Sequence, residues 1–289
     1  MLSIGILFAF AAMAFWGVGD FLIQKSARRL GDWGTLLAIE LFGVIILTPF
    51  VWNSLGSLFS FQDGSLIILS ACSAVLLAAA LLNFESLRQG KLAIVEPIHT
   101  LEIPIASMLA FIVFGEGLAL VQMILIVVLM AGLALVSMRD GSTGNRARLE
   151  KGAVLAVLSA TFLGITTFMF GFSSRATSFI LTNWFTALFL AMICMIYVAR
   201  TGGFSRLIMN VRKRKGLVIS TAAFDTFAWV AFALATTLSQ ISIAVAISEC
   251  YIIIASLLGI FVNKERMKGY QKVGLALSII AAVLLASVS

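Results

Sequence analysis

Charge is what this sequence has least of: Asp, Glu, Lys and Arg together make up 11% of its residues, against 61% that are hydrophobic. Soluble domains carry about a quarter charged residues, so a water-covered globule is excluded and a membrane protein is implied. Histidine occurs once, at His99. One histidine among scattered acids supplies neither an HExxH zinc pair nor a nucleophile with its base, so an intramembrane enzyme is not expected. With three prolines and no low-complexity tract, little chain is left for linkers. Cys72, Cys194 and Cys250 all fall inside apolar runs, which makes neither a disulfide framework nor a CxxC metal motif; they read as small buried residues. No GxxxxGK[ST] loop occurs, so no ATP-driven motor is expected on this chain. Catalytic residues, metal and cofactor are all expected to be absent.

What is present is apolar sequence in long runs. A span needs about 20 apolar residues, and ten such runs can be cut, at 2–24, 33–52, 65–87, 92–114, 118–138, 152–172, 178–199, 216–237, 241–262 and 270–288. The first has no basic segment ahead of it and is longer than a signal-peptide core, so it is read as a retained span. Junctions such as "GEGL" at 115–118 are so short that consecutive spans must be antiparallel neighbours. Only 139–151 and 200–215 hold polar connections of any length.

The net charge of +7 suggests nucleic acid until its location is examined. Of the 20 Lys and Arg residues, 19 lie in or beside the connections after odd-numbered spans, and Arg175 stands alone on the other side. The positive-inside rule then makes the odd connections cytoplasmic and leaves both termini outside, in a multi-pass protein of the cytoplasmic membrane. No nucleic-acid partner is expected. The expected partners are a small-molecule substrate and membrane lipid, with the chain a monomer or homodimer.

The two halves repeat. A shift of 147 residues places Gly5 on Gly152, Gly17 on Gly164, Ser26 on Ser173 and Arg28 on Arg175. Later in each half a shift of 149 places Ile105-Ala106-Ser107 on Ile254-Ala255-Ser256, Glu116 on Glu265 and Gln122 on Gln271. The expected organisation is an all-α membrane protein of ten transmembrane helices, built as two five-helix repeats over 1–140 and 150–289. Because five is odd, the second repeat enters the bilayer from the opposite side, as inverted repeats do.

With the Trp-Gly element of span 1, the "VEP" of span 4, the "FGEGLALVQ" turn and its counterpart "VNKERMKGYQ", the chain resembles the EamA-type branch of the drug/metabolite transporter superfamily. The resemblance implies a five-plus-five helix fold. It implies export or exchange of small metabolites, including amino acids, through a cavity lined by spans 1, 3 and 4 with 6, 8 and 9. Ten-helix members are generally drawn with cytosolic termini, the reverse of what the charge count gives here.

Ionisable groups inside spans are functional candidates by default, since a carboxylate near a helix centre costs about 2.5–3.5 kcal/mol on the insertion scale. Glu102, Glu249 and Asp225 fall near the midplane, Glu40 about a third of the way in, and His99 between the acids of span 4; these five are the expected substrate or proton ligands. Glu102 and Glu249 occupy nearly equivalent places on spans 4 and 9 and are expected to face each other. Asp20, Glu85 and Glu96 lie nearer the cytoplasmic ends with Lys25 and Arg88, and are read as gate or cavity-mouth residues. Trp16, Trp229 and Tyr251 are the candidate aromatic lining. Simpler readings stand beside these: Glu96 as a helix cap, His99 as a neutral core residue, Glu116 and Glu265 as turn or capping acids, and the tryptophans as packing. The leading expectation is a secondary transporter of an amino acid or other amine-bearing solute working by alternating access; the alternative is a cation channel or permease using the same acids.

Overall fold

The computed structural model describes residues 3–59, 64–89, 98–137, 146–254 and 268–288, and among these there is helix and no strand. The helices are α1 (Ile4–Leu30), α2 (Asp32–Val51), α3 (Ser65–Gln89), α4 (Glu102–Phe114), α5 (Leu120–Ser137), α6 (Arg146–Ala176), α7 (Phe179–Arg200), α8 (Phe204–Lys213), α9 (Lys215–Leu238), α10 (Ile241–Ser248) and α11 (Gly269–Ser287), with a 3₁₀ stretch at Trp52–Phe59. Seven helices are long and apolar enough to cross a membrane, and Glu102–Phe114, Leu120–Leu135 and Ile241–Ile254 are shorter apolar helices.

Local chemistry sets the ends. Ser3 caps α1 by accepting from the Ile6 N–H at 3.3 Å, and Ser178 caps α7 by accepting from Leu181 N–H at 3.1 Å. Gly115 stops α4 in the left-handed region, at φ 65° and ψ 21°, where a side chain would be strained. The polar connection expected over 200–215 instead holds α8. Its Phe204, Leu207, Ile208 and Val211 recur at i, i+3, i+4 and i+7, so one face is apolar and can lie against the bundle while Arg206, Arg212 and Lys213 face outward. Leu207 reaches α2 at Gly34, and Asn210 Nδ2 donates to the Arg29 carbonyl of α1 at 3.3 Å.

The outer surface is apolar, with Ile45, Ile67, Ile112, Val127, Ile196 and Ile280 all exposed. The interior is rich in small residues, among them Ala9, Ala12, Ala106, Ala160, Ala233 and Ala246. That is the pattern of a bundle in lipid, where close backbone approach drives helix association. The principal pairs join the two halves of the chain: α1 packs on α9, α3 on α6, α2 on α7 and α5 on α11.

Two close approaches match in detail. A Cβ on Gly17 would lie 2.5 Å from Ile254 Cβ and 3.1 Å from the Tyr251 carbonyl; one on Gly164 would lie 2.7 Å from Ile105 Cβ and 3.0 Å from the Glu102 carbonyl. These are the positions the repeat register pairs. Spans 4 and 9 also break alike. Leu101 N–H donates to Ile98 O at 3.0 Å and Ile103 N–H to Thr100 O at 3.3 Å; Cys250 N–H donates to Ile247 O at 3.1 Å and Ile252 N–H to Glu249 O at 3.5 Å. Each helix tightens into one 3₁₀-type turn at the same register. Pro104, with no N–H for the Thr100 carbonyl, accounts for the break in span 4; span 9 breaks without a proline there. Gln122 and Gln271 likewise accept from the Ala119 and Lys268 N–H groups, both at 2.9 Å.

Candidate functional site

A small, partly open cavity lies between α2, α3, α6, α7 and α9. Gly43 lines it from α2, where a Cβ would reach 3.4 Å from Ala187 Cβ and 3.5 Å from Thr226 Oγ1, ordinary van der Waals contact. Glu40, one turn before Gly43, enters the space from α2. Asp225, Thr226 and Trp229 enter from α9, and Asn183 and Thr186 from α7. Phe170 of α6 and Leu76 of α3 close the apolar side.

The charges of Glu40 and Asp225 lie within range of each other, and among the described residues no Lys, Arg or His lines the space. The acidic character continues beyond it, because Asp225 is in electrostatic range of Asp20, and Asp20 of Glu102. Four carboxyl groups from α2, α9, α1 and α4 thus form one connected set. Aromatic rings wall it: Trp229 meets Trp16 edge-on at 5.2 Å between centroids and Phe170 at 4.7 Å, and Trp16 meets Phe232 at 5.4 Å.

Of the residues singled out from sequence, Glu40, Asp225 and Trp229 meet at this cavity, with Trp16 behind Trp229. Asp20 is in electrostatic range of Asp225 and lies on α1, which runs on to Leu30. Glu102 is buried at the first turn of α4 against Thr167 of α6, and Glu249 is buried at the C-terminal end of α10 beside Cys250. Neither lines the cavity. His99 is buried just ahead of the break in span 4, and Tyr251 follows the break in span 9, its carbonyl against Gly17. Glu85 is half-buried on the last turns of α3. Lys25 is exposed with its Nζ 3.8 Å above the Phe21 ring. Glu96, Glu265 and the side chains of Arg28 and Arg88 lie outside the described residues.

Asn183, Thr186, Thr226 and Phe170 were not singled out from sequence. The first two were legible as a polar i, i+3 pair in an apolar run; the others carry no signal apart from their partners. Glu116 does cap a helix, but one far away in sequence. It pairs with Arg175 and accepts from the Ile241 N–H at 2.9 Å, at the start of α10. Arg175 also donates to the carbonyls of Thr236 at 2.7 Å and Ser239 at 2.8 Å, at the end of α9. Opposite charges therefore sit on the helix termini that attract them.

The family sequence model described as "EamA-like transporter family" matches residues 3–138 and again residues 150–287. The chain belongs to the EamA-like transporter family. This EamA-like chain is therefore a multi-pass membrane transporter of the drug/metabolite type, composed of two family repeats. One solved crystal structure is similar to it with a TM-score of 0.74 at 13% identity, over 98% of this chain and 96% of the other, a likeness of fold alone. No curated protein matches it by sequence.

Proposed function

We propose that this EamA-like protein is a secondary transporter that moves a small amine-bearing solute across the cytoplasmic membrane, by export or exchange, through alternating access of two inverted five-helix halves. The observation that carries this reading is the position of the acidic cavity, between α2 and α3 of one half and α6, α7 and α9 of the other. A site shared in this way changes access when the halves rock. The inversion is supported by the exchange of partners. Swapping the halves turns the α1–α9 pair into α6–α3 and the α2–α9 pair into α7–α3, and all four pairs occur. The matched approaches of Gly17 and Gly164 and the matched helix breaks support it further.

The connected acids suit a positively charged group or protons, since several carboxylates within range of each other need balancing charge in a membrane. Glu40 and Asp225 hold the solute, while Asp20 and Glu102 couple to them through space. The broken helices beside Glu102 and Glu249 supply the hinges on which the halves exchange. Solute counterflow into proteoliposomes tests the reading. Asp225→Asn and Glu102→Gln are each expected to reduce counterflow at least tenfold with unfolding temperature little changed. Wild-type flux in both variants would refute it.

A further inference from the structure

The donor and acceptor inventory of the cavity narrows the solute. Asn183 donates one amide hydrogen to the Phe179 carbonyl at 2.7 Å, which leaves its amide oxygen and a second N–H for the cavity. Thr186 spends its hydroxyl proton on the carbonyls of Thr182 at 2.8 Å and Asn183 at 3.0 Å, and so can only accept. Glu40 and Asp225 add four carboxylate oxygens, and among the described residues nothing donates a hydrogen bond to them. Thr226 is 6% exposed, lines the same space, and its hydroxyl has no hydrogen-bond partner among the described residues. The polar hydrogens left at the wall are the second amide hydrogen of Asn183, the hydroxyl hydrogen of Thr226 and the indole N–H of Trp229.

From this we infer that the cavity binds an organic dication with no carboxylate of its own, of the class of short aliphatic diamines. Two ammonium groups bring six donors to a site whose only ionisable side chains among the described residues are two acids, and they match two carboxylates that otherwise repel each other. The methylene chain lies against Leu76, Phe170 and Trp229, where the ring faces also attract cations. An α-amino acid fits poorly. Its carboxylate would enter beside Glu40 or Asp225 with no base to receive it, and like charges at close range cost several kcal/mol.

The inference rests on the transporter reading for its purpose, but it is tested by binding alone. Purified protein in lipid nanodiscs is titrated with 1,4-diaminobutane, 1-aminobutane and leucine while the unfolding temperature is followed. The diamine is expected to raise it saturably, at concentrations at least tenfold below those the monoamine needs, and leucine to leave it unchanged. Glu40→Gln and Asp225→Asn should each weaken the diamine at least tenfold and bring its affinity to that of the monoamine, which a merely structural role would not do. Thr226→Val, close in shape, keeps the preference and weakens binding less, and it serves as the folding control. Stabilisation by leucine equal to that by the diamine overturns the inference. So does an unaltered diamine response in both acid variants, or no response to either amine, as expected of a pair that holds protons only. Diamine binding without counterflow would instead refute the transporter reading and leave the cavity assignment standing.

Discussion

Substituting alanine for Gly17 and for Gly164 tests whether the two halves are packed by one rule. Each added methyl would lie within 2.5 Å or 2.7 Å of an isoleucine Cβ, and within 3.1 Å or 3.0 Å of a backbone carbonyl. Carbon atoms rest at about 3.5–4.0 Å. The helix pair must therefore open by roughly 1 Å at each site, and neither neighbour is the loose end of a flexible side chain. Overpacking of this kind costs about 1–3 kcal/mol. Alanine recovers up to about 1 kcal/mol of helix propensity over glycine, so a net loss of about 1–2 kcal/mol is expected, or roughly 2–6 °C in unfolding temperature for a chain of this size. Thermal unfolding of the purified variants measures it. Trimming the opposing residue relieves the clash, so Gly17→Ala with Ile254→Ala, and Gly164→Ala with Ile105→Ala, should be non-additive by about 1–2 kcal/mol in the favourable direction. An unchanged or raised unfolding temperature in either single variant, or strict additivity in both cycles, would show that these approaches do not hold the halves together.

The ion pair at the other end of the bundle makes a graded prediction. Arg175→Met removes two carbonyl bonds and the pair with Glu116, for a loss of about 2–3 kcal/mol, held to the lower range because the arginine side chain is 25% exposed. Glu116→Gln keeps an acceptor for the Ile241 N–H and should cost less; the reverse ranking by thermal unfolding refutes this assignment of roles. Orientation has its own test. A cysteine at Ser289, in a background without Cys72, Cys194 and Cys250, should react with an impermeant maleimide on intact cells, and protection there with labelling after lysis would overturn termini-outside.

Much of the plan was legible before any coordinates. Hydropathy located the apolar helices because transfer to lipid depends on composition along the chain, and the repeat register at 147 and 149 anticipated which residues make twin contacts. Gly17 and Gly164 could be paired from sequence; that they meet Ile254 and Ile105 could not. Hydropathy ended the first span at 24, whereas α1 runs on to Leu30, because helix termini follow caps and packing rather than apolarity. Likewise α8 was hidden in a polar connection, since its apolar face covers only four positions in ten residues.

The candidate site divides the same way. Sequence alone determined that this protein lives in a membrane, that its acids are costly there, and that its two halves are copies, because these depend on composition, depth and register. It grouped Glu102, Glu249 and Asp225 near the midplane because depth is all that a linear reading can weigh. The tertiary structure alone decided that Glu40 and Asp225 line one cavity with Asn183 and Thr186, and that Glu116 caps a helix over a hundred residues away. The physical reason is that hydrophobicity sets how deep a residue sits but is nearly blind to how a helix is rotated and which neighbour it faces. Those are settled by small residues such as Gly17 and Gly164, which let particular helix faces close on one another.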